Sequence, residues 1–292
     1  MKGIILAGGT GTRLYPATKV LNKHIIPLFD KPMIYYPLSV IMLSGIRNVI
    51  IVCNPYDYES YDRLLGNGND LGICIKYVLQ KESKGIVDGI LLCKEYFSNE
   101  SVMVALGDNV FYGQTFTNIL RKAIQLNRGA TVFSLFQTYN YGITTVKCDD
   151  NKKPVSLIFK NKALDDFIVP GLYIYNSDLF DIAEKIEPVN GTKQMISINI
   201  EYLRRNLLDV IQLSRGMFWY DVGTTYARLD AEIMISKLQQ NQGLYVGCIE
   251  EIAYNQNWIS KEHLLFIVNK MADNTPYKNY LLKVLELRND TI

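Results

Sequence analysis

A handful of residues carry the types and spacing from which chemistry can be built. Leu6-Ala7-Gly8-Gly9-Thr10-Gly11-Thr12-Arg13-Leu14 follows a short apolar run. Glycines there permit positive φ and close approach of backbone to a ligand. Successive N–H groups can then cradle phosphate oxygens. Arg13 and Lys23 add two cations that suit a triphosphate. The loop lacks the G-K-[ST] of a phosphate loop. It also lacks the third glycine of G-x-G-x-x-G, which argues against a dehydrogenase. A plain strand-to-helix turn would use the same glycines. Asp108 follows an apolar run in Leu106-Gly107-Asp108-Asn109, and Asp221 lies between Trp219-Tyr220 and Val222-Gly223. Two such carboxylates can hold Mg²⁺, which takes one or two of them plus phosphate oxygens. Two turn-capping aspartates would leave the same trace. Gln80, just before Gly85 in the sequence, has the donor and acceptor to pair with the O/N–H edge of thymine or uracil. A solvated glutamine at a strand end is the alternative.

These residues need a frame to bring them together. Gly3 to Ala7, Asn48 to Cys53, Gly72 to Leu79, Ser101 to Leu106 and Ala130 to Phe136 read as strands. Between them Met33 to Ser44, Tyr58 to Leu65, Gly85 to Tyr96 and Phe116 to Leu126 read as helices. Alternation of this kind predicts a mostly parallel sheet with helices on both faces. Ligands of such sheets bind outside the carboxyl ends of the strands. From Tyr141 the pattern changes. Thr144 to Lys147, Val155 to Phe159 and Gly171 to Tyr175 read as strands without long helices between them. Ser177 to Ile186 and Ile198 to Asn206 read as helices, Val210 to Ser214 and Met217 to Tyr220 as strand and turn, and Thr224 to Gln242 as a long helix. Two more helical segments follow. No repeat or linker divides the 292 residues, so one domain is expected. Its parts are an alternating part (about 1–140), a part with a changed pattern (about 141–225) and a helical end (about 226–292).

Composition narrows the classes. The chain is 48% hydrophobic, enough for a sizeable core. It has 31 basic and 29 acidic residues, so no charge excess points to nucleic acid. No apolar run spans a bilayer or forms a signal-peptide core. Five scattered cysteines without a C-x-x-C pair read as reduced thiols of a cytoplasmic protein. Two histidines leave little room for a His-based triad.

The motifs extend beyond the glycine loop. Gly8 to Pro16 reads G-G-T-G-T-R-L-Y-P and Asn22 to Pro37 reads N-K-H-I-I-P-L-F-D-K-P-M-I-Y-Y-P. With L-G-D-N-V-F-Y-G at Leu106, W-Y-D-V-G-T at Trp219 and E-E-I-A-Y at Glu250, the chain resembles the glucose-1-phosphate thymidylyltransferases over nearly its whole length. The resemblance implies a doubly wound, mostly parallel α/β sheet of the nucleotide-diphospho-sugar transferase type, with a small sugar-binding subdomain, in a homotetramer. It implies a nucleotidyltransferase that joins dTTP or UTP to a hexose 1-phosphate such as glucose 1-phosphate, releasing pyrophosphate with Mg²⁺. Nucleotide contacts would fall on Leu6, Gly8, Gly9, Gly11, Thr12, Arg13, Gln80 and Gly85. Sugar-phosphate contacts would fall on Asn109, Gly142, Lys160, Val169 and Tyr173. Asp108 and Asp221 would hold the metal, and Arg13 and Lys23 would be catalytic. A second, regulatory site would involve Tyr112, Gly113, Arg215, Gly216, Glu251 and Ile252, although the family's arginine there is Asn255.

The resemblance makes residues about 1–140 the nucleotide half and about 141–225 the sugar half, and the sugar half departs from the family pattern. Phe159 stands where a carboxylate would bond sugar hydroxyls, and Asn190 where an arginine would grip the sugar phosphate. Acids become Thr192, Gln194 and Ser197, a threonine becomes Pro170, and a glutamine beside the base becomes Asp88. Lys193 offers a point charge in place of the arginine. Phe159 could equally be a core residue. Such changes predict poor use of glucose 1-phosphate. They also keep open a different sugar, or an impaired homologue that binds nucleotide or nucleotide sugar or serves as a partner subunit.

Overall fold

The computed structural model describes residues 1–82 and 84–287. The chain begins with β1 (Lys2–Leu6), the short strands β2 (Pro27–Leu28) and β3 (Lys31–Pro32), α1 (Tyr35–Leu43) and β4 (Asn48–Cys53). There follow α2 (Tyr58–Leu65), β5 (Cys74–Leu79), α3 (Ile86–Leu91), β6 (Val102–Leu106), β7 (Asn109–Tyr112) and α4 (Phe116–Leu126). A long hairpin, β8 (Ala130–Cys148) and β9 (Pro154–Ile168), leads to β10 (Leu172–Tyr175), α5 (Leu179–Lys185) and α6 (Met195–Arg204). The remainder is β11 (Leu208–Gln212), β12 (Phe218–Asp221), α7 (Thr225–Gln242), α8 (Ile249–Asn255), α9 (Lys261–Asn269) and α10 (Pro276–Leu287).

The main sheet has the order β11-β8-β10-β6-β1-β4-β5, with β9 paired to β8. Strand β1 lies between parallel β6 and β4, and β5 continues the parallel set. Only β10 in that path runs against its neighbours. The central strands are short apolar runs because both faces are covered. Side chains alternate between two cores, as the two-residue period requires. Ile5, Val49 and Ile51 pack with α1, α4 and the C-terminal helices. Ile4, Ile50 and Val52 pack with α3, α5 and α6. Helix α1 is apolar nearly all round and buried from Tyr36 to Met42, as a helix inside a core must be.

The expected alternation holds, with differences where long-range pairing overrides local signals. Helix α3 stops at Leu91, and a separate 3₁₀ turn covers Lys94–Tyr96. The segments expected as two strands before Cys148 form one strand. They pair with β9 from Leu135↔Ile168 to Cys148↔Pro154 through several register shifts. That pairing satisfies backbone groups of a polar stretch whose own pattern does not signal a strand. Strand β7 was not expected at all. It pairs with β12 as a separate two-stranded ribbon. The C-terminal end holds three helices beyond α7 rather than two.

Gly107 joins β6 to that ribbon at a close approach. A Cβ there would lie 2.7 Å from the Leu6 carbonyl oxygen and 2.7 Å from His24 Cδ2. Gly107→Ala is therefore expected to cost about 1–3 kcal/mol, as overpacking does. An unchanged urea midpoint would show that this junction yields freely.

Candidate active site

A cleft of about 430 Å³ opens where β1, β5 and β6 end, lined by Gly8, Gly9 and Thr10 of the glycine loop, Arg13, Lys23, His24, Gln80, Gly85, Ile86, Asp108 and Asp221, with Gly11 and Thr12 outside the lining. The loop reaches it because Gly11 adopts φ 65°, where a side chain would also press on Thr18 Cγ2 at 2.8 Å. Thr18 Oγ1 donates to the Gly11 carbonyl at 2.9 Å, which closes the loop on the following turn. Lys23 is held against the loop, with its Cε 3.3 Å from where a Gly9 Cβ would stand. Asn22 pins the segment that presents it. Its Oδ1 accepts from the His24 backbone N–H at 2.9 Å and from Tyr61 Oη at 3.2 Å, and contacts His24 Nδ1 at 2.8 Å. Its Nδ2 donates to Asp57 at 2.7 Å. Burial, with the nearby Lys23 charge, lowers His24 to about 3. It is a neutral packing group at ordinary pH.

The two aspartates meet through the β7–β12 ribbon. Asp221 stands opposite Asn109, and Val222 N–H donates to the Asp108 carbonyl at 3.0 Å. Lys23 Nζ bonds Asp108 Oδ2 at 2.5 Å. Burial acts to raise Asp108, but the adjacent Lys23 ammonium holds it below the usual carboxylate range. Asp221 goes the other way. Burial first, and then the Asp108 charge, raise it to about 6, against the pull of Arg13, Lys23 and the Gly223 N–H. Arg13 reaches this turn because residue 223 is glycine. A Cβ there would lie 2.5 Å from Arg13 Nη2. Two cations and two carboxylates thus converge beside a loop of backbone donors.

Another wall of the cleft is formed by Gln80, Gly85 and Ile86. Gln80 Nε2 donates to the Gly85 carbonyl at 3.1 Å. Gly85 has φ 114°, which favours glycine. Gly8 leaves room for Gln80 Oε1, which would be 2.7 Å from a Cβ at that position. Asp88 sits in the first turn of α3, its Oδ2 3.9 Å from where a Gly85 Cβ would stand.

The residues expected at the sugar phosphate do not line this cleft. Asn109 is buried, with its amide engaged by Gly171, Trp219 and Asp108. Val169 and Tyr173 are buried in the core. Gly142 lies within β8 at φ 57°, and Lys160 is ion-paired to Asp166. Phe159 is 55% exposed, which removes the core alternative. Asn190 (φ 51°) and Gly191 (φ 80°) form the two-residue turn of the Val189↔Thr192 bridge, the positive-φ arrangement that Asn-Gly favours. An asparagine at 190 therefore has a backbone reason. Lys193 does not stand in for an arginine. Its Nζ caps α5 on the carbonyls of Ala183 and Glu184 at 2.9 and 2.7 Å. At the expected regulatory site, Tyr112 bonds Gln242 and Glu251 accepts from Tyr280 at 2.7 Å. Sequence reasoning missed Thr10, His24, Ile86 and Leu106 as cleft residues. His24 and Ile86 adjoin motif residues, but nothing local marks their direction.

The chain belongs to the nucleotidyl transferase family, whose model matches residues 2–238. It is 41% identical to a glucose-1-phosphate thymidylyltransferase of Neisseria meningitidis over 98% of this chain and 100% of that one. It is 37% identical to one from Mycolicibacterium smegmatis, covering 98% and 99% of the two chains. A solved Bacillus anthracis structure, described as a candidate glucose-1-phosphate thymidylyltransferase in complex with sucrose, matches at TM-score 0.70 and 30% identity. That match covers 80% of this chain and 94% of the other. A UDP-glucose pyrophosphorylase bound to UDP-glucose shares the fold at TM-score 0.69 and 24% identity, over 81% and 98% of the two chains. Among the described residues no helix is long and apolar enough to cross a membrane.

Two outcomes follow from the geometry. Phe159→Glu should leave stability within about 0.5 kcal/mol, as exposed changes do. Asn190→Arg should lose about 1–2 kcal/mol to left-handed strain. Thermal melts that reverse this order would contradict the placement of both residues. Folding also raises Asp221, so its protonated form favours the native state. That contribution is full below about pH 4 and is lost as pH rises through about 6. Metal-free Asp221→Asn should therefore be more stable than the parent at pH 8, with the gain gone at pH 4. A gain independent of pH would contradict the buried repulsion.

Proposed function

We propose that this chain transfers the nucleotidyl group of dTTP or UTP to a hexose 1-phosphate, such as glucose 1-phosphate, and releases pyrophosphate. The convergence of Asp108, Asp221, Lys23 and Arg13 with the Gly8–Arg13 loop in one cleft carries this reading. The names of the relatives and the family match support it. The unpaired thiols suit a reducing cytoplasm.

The chemistry needs few side chains. A sugar 1-phosphate is largely dianionic near neutral pH, its second pKa being about 6. It attacks the α-phosphorus without a general base. The requirement is in-line placement and relief of repulsion between two anions. Backbone N–H groups of the loop orient the triphosphate, and Arg13 and Lys23 offset charge as pyrophosphate leaves. Asp108 and Asp221 fit a divalent cation. They face each other closely enough that one raises the other. Among the described residues no third His, Cys, Asp or Glu joins them, so substrate oxygens and water would complete the shell. Bound Mg²⁺ would supply charge stabilisation at the α-phosphate. Gln80 and Gly85 would select a pyrimidine.

A second reading draws on the sugar side. Lys193 and Lys160 are committed to internal partners and Asn190 to a turn. These commitments favour a protein that binds nucleotide or nucleotide sugar with little turnover. A pyrophosphate-release assay with a panel of sugar 1-phosphates against dTTP and UTP separates the two. The expected outcome is Mg²⁺-dependent release with at least one pair, and its loss in Asp108→Asn and Asp221→Asn. No release with any pair, together with a dTTP-dependent rise in melting temperature, would favour the second reading. Neither effect at millimolar ligand would remove both.

A further inference from the structure

The β7–β12 ribbon, which starts just after Asp108 and ends on Asp221, contains four residue pairs and lies outside the main sheet. Two-stranded ribbons have little stability of their own, and this one is packed into the cores through Val110, Phe111 and Trp219. One side chain adds polar ties at the aspartate end. Asn109 Oδ1 accepts from Trp219 Nε1 at 2.7 Å and from the Gly171 N–H at 2.9 Å. Asn109 Nδ2 donates to Asp108 Oδ1 at 3.2 Å. The first bond crosses the ribbon from β12 to β7, the second ties it to the residue before β10, and the third reaches a carboxylate of the pair. Asn109 stands opposite Asp221 in the register, and Trp219 lies two residues before Asp221 on the same strand. Asn109 and Trp219 are 3% and 7% exposed. Water therefore does not replace a lost partner readily, and both acceptor sites of the amide oxygen are used.

We infer that Asn109 and Trp219 form a positioning strut. It sets the relation of Asp108 to Asp221 and thereby the affinity of that pair for a divalent cation. Asn109 bonds Asp108 directly and Trp219 holds Asn109, so the effect passes through the aspartates. The family resemblance implies that Asn109 contacts the sugar phosphate; in the structure its oxygen and one amide hydrogen are engaged in the frame. Residues that orient metal-binding carboxylates change affinity by about 10–100-fold when removed. The inference rests on the metal role given above to Asp108 and Asp221.

The test uses Mn²⁺ as the probe, followed by electron paramagnetic resonance on the full chain without substrate. The parent should bind Mn²⁺, and Asp108→Asn should not. Trp219→Phe keeps the ring packing and removes only the indole N–H. It should weaken Mn²⁺ binding by about tenfold with a folded, cooperative melt. In turnover, the Mg²⁺ concentration for half-maximal rate should rise by a similar factor while the KM for dTTP stays put. Asn109→Asp is the second variant, and it decides the matter if Trp219→Phe does not fold. Its oxygen keeps both acceptor bonds but sets an acceptor against Asp108, so it too should alter Mn²⁺ affinity. Parent-like Mn²⁺ affinity in folded variants would overturn the strut and leave the metal reading standing. Failure of the parent to bind Mn²⁺ both without and with dTTP would overturn that reading and the strut with it.

Discussion

Asp108 and Asp221 are two largely buried carboxylates at one end of the β7–β12 ribbon, and the charge of Asp108 makes ionisation of Asp221 harder. Left alone, such a pair would take up protons or separate. Here Lys23 bonds one and Arg13 stands by the other. Asn109 and the Gly223 N–H supply further hydrogen bonds. Much of the surrounding architecture lets these groups come this close. Glycines at 9, 107 and 223 occupy positions where a side chain would push against Lys23, His24 or Arg13. The Asn22–Tyr61–His24 cluster keeps the lysine segment pressed on the end of β1.

The same constraint explains why the sheet is covered on both faces while the cleft stays open at its end. Parallel strands with apolar side chains on both faces give a rigid floor, and polar groups collect where the strands stop. The glycine loop, the Gln80–Gly85 corner and the carboxylate pair all lie at the ends of β1, β5 and β6. The β8–β9 hairpin extends beyond this floor. It pairs with itself and carries exposed apolar residues such as Phe159 and Leu164. The cleft at the glycine loop and Gln80 is therefore held by close packing, and the outer part of the hairpin is not.

Local signals in the sequence determined a good deal. Asn48–Cys53, Tyr58–Leu65 and Phe116–Leu126 could be read to the residue, because hydrophobic period and flanking Gly or Asn mark them. The Gly8–Arg13 loop was marked by the order of its glycines before Arg13, although a plain strand-to-helix turn would use the same residues; Gly11 takes φ 65° with Thr18 and Lys23 crowded against it. Asp108 and Asp221 were visible as candidates, but 110 residues separate even the Asn109–Trp219 bond. No local pattern states that such segments pair. Tertiary structure decided β7, the merging of two strands into β8, and the inward turn of His24. It also decided that Asn109 braces the frame, that Lys193 caps a helix and that Phe159 faces solvent. Those outcomes depend on which distant backbone and side-chain groups satisfy one another in the packed chain. Periodicity and backbone preference act over a few residues and do not carry that information.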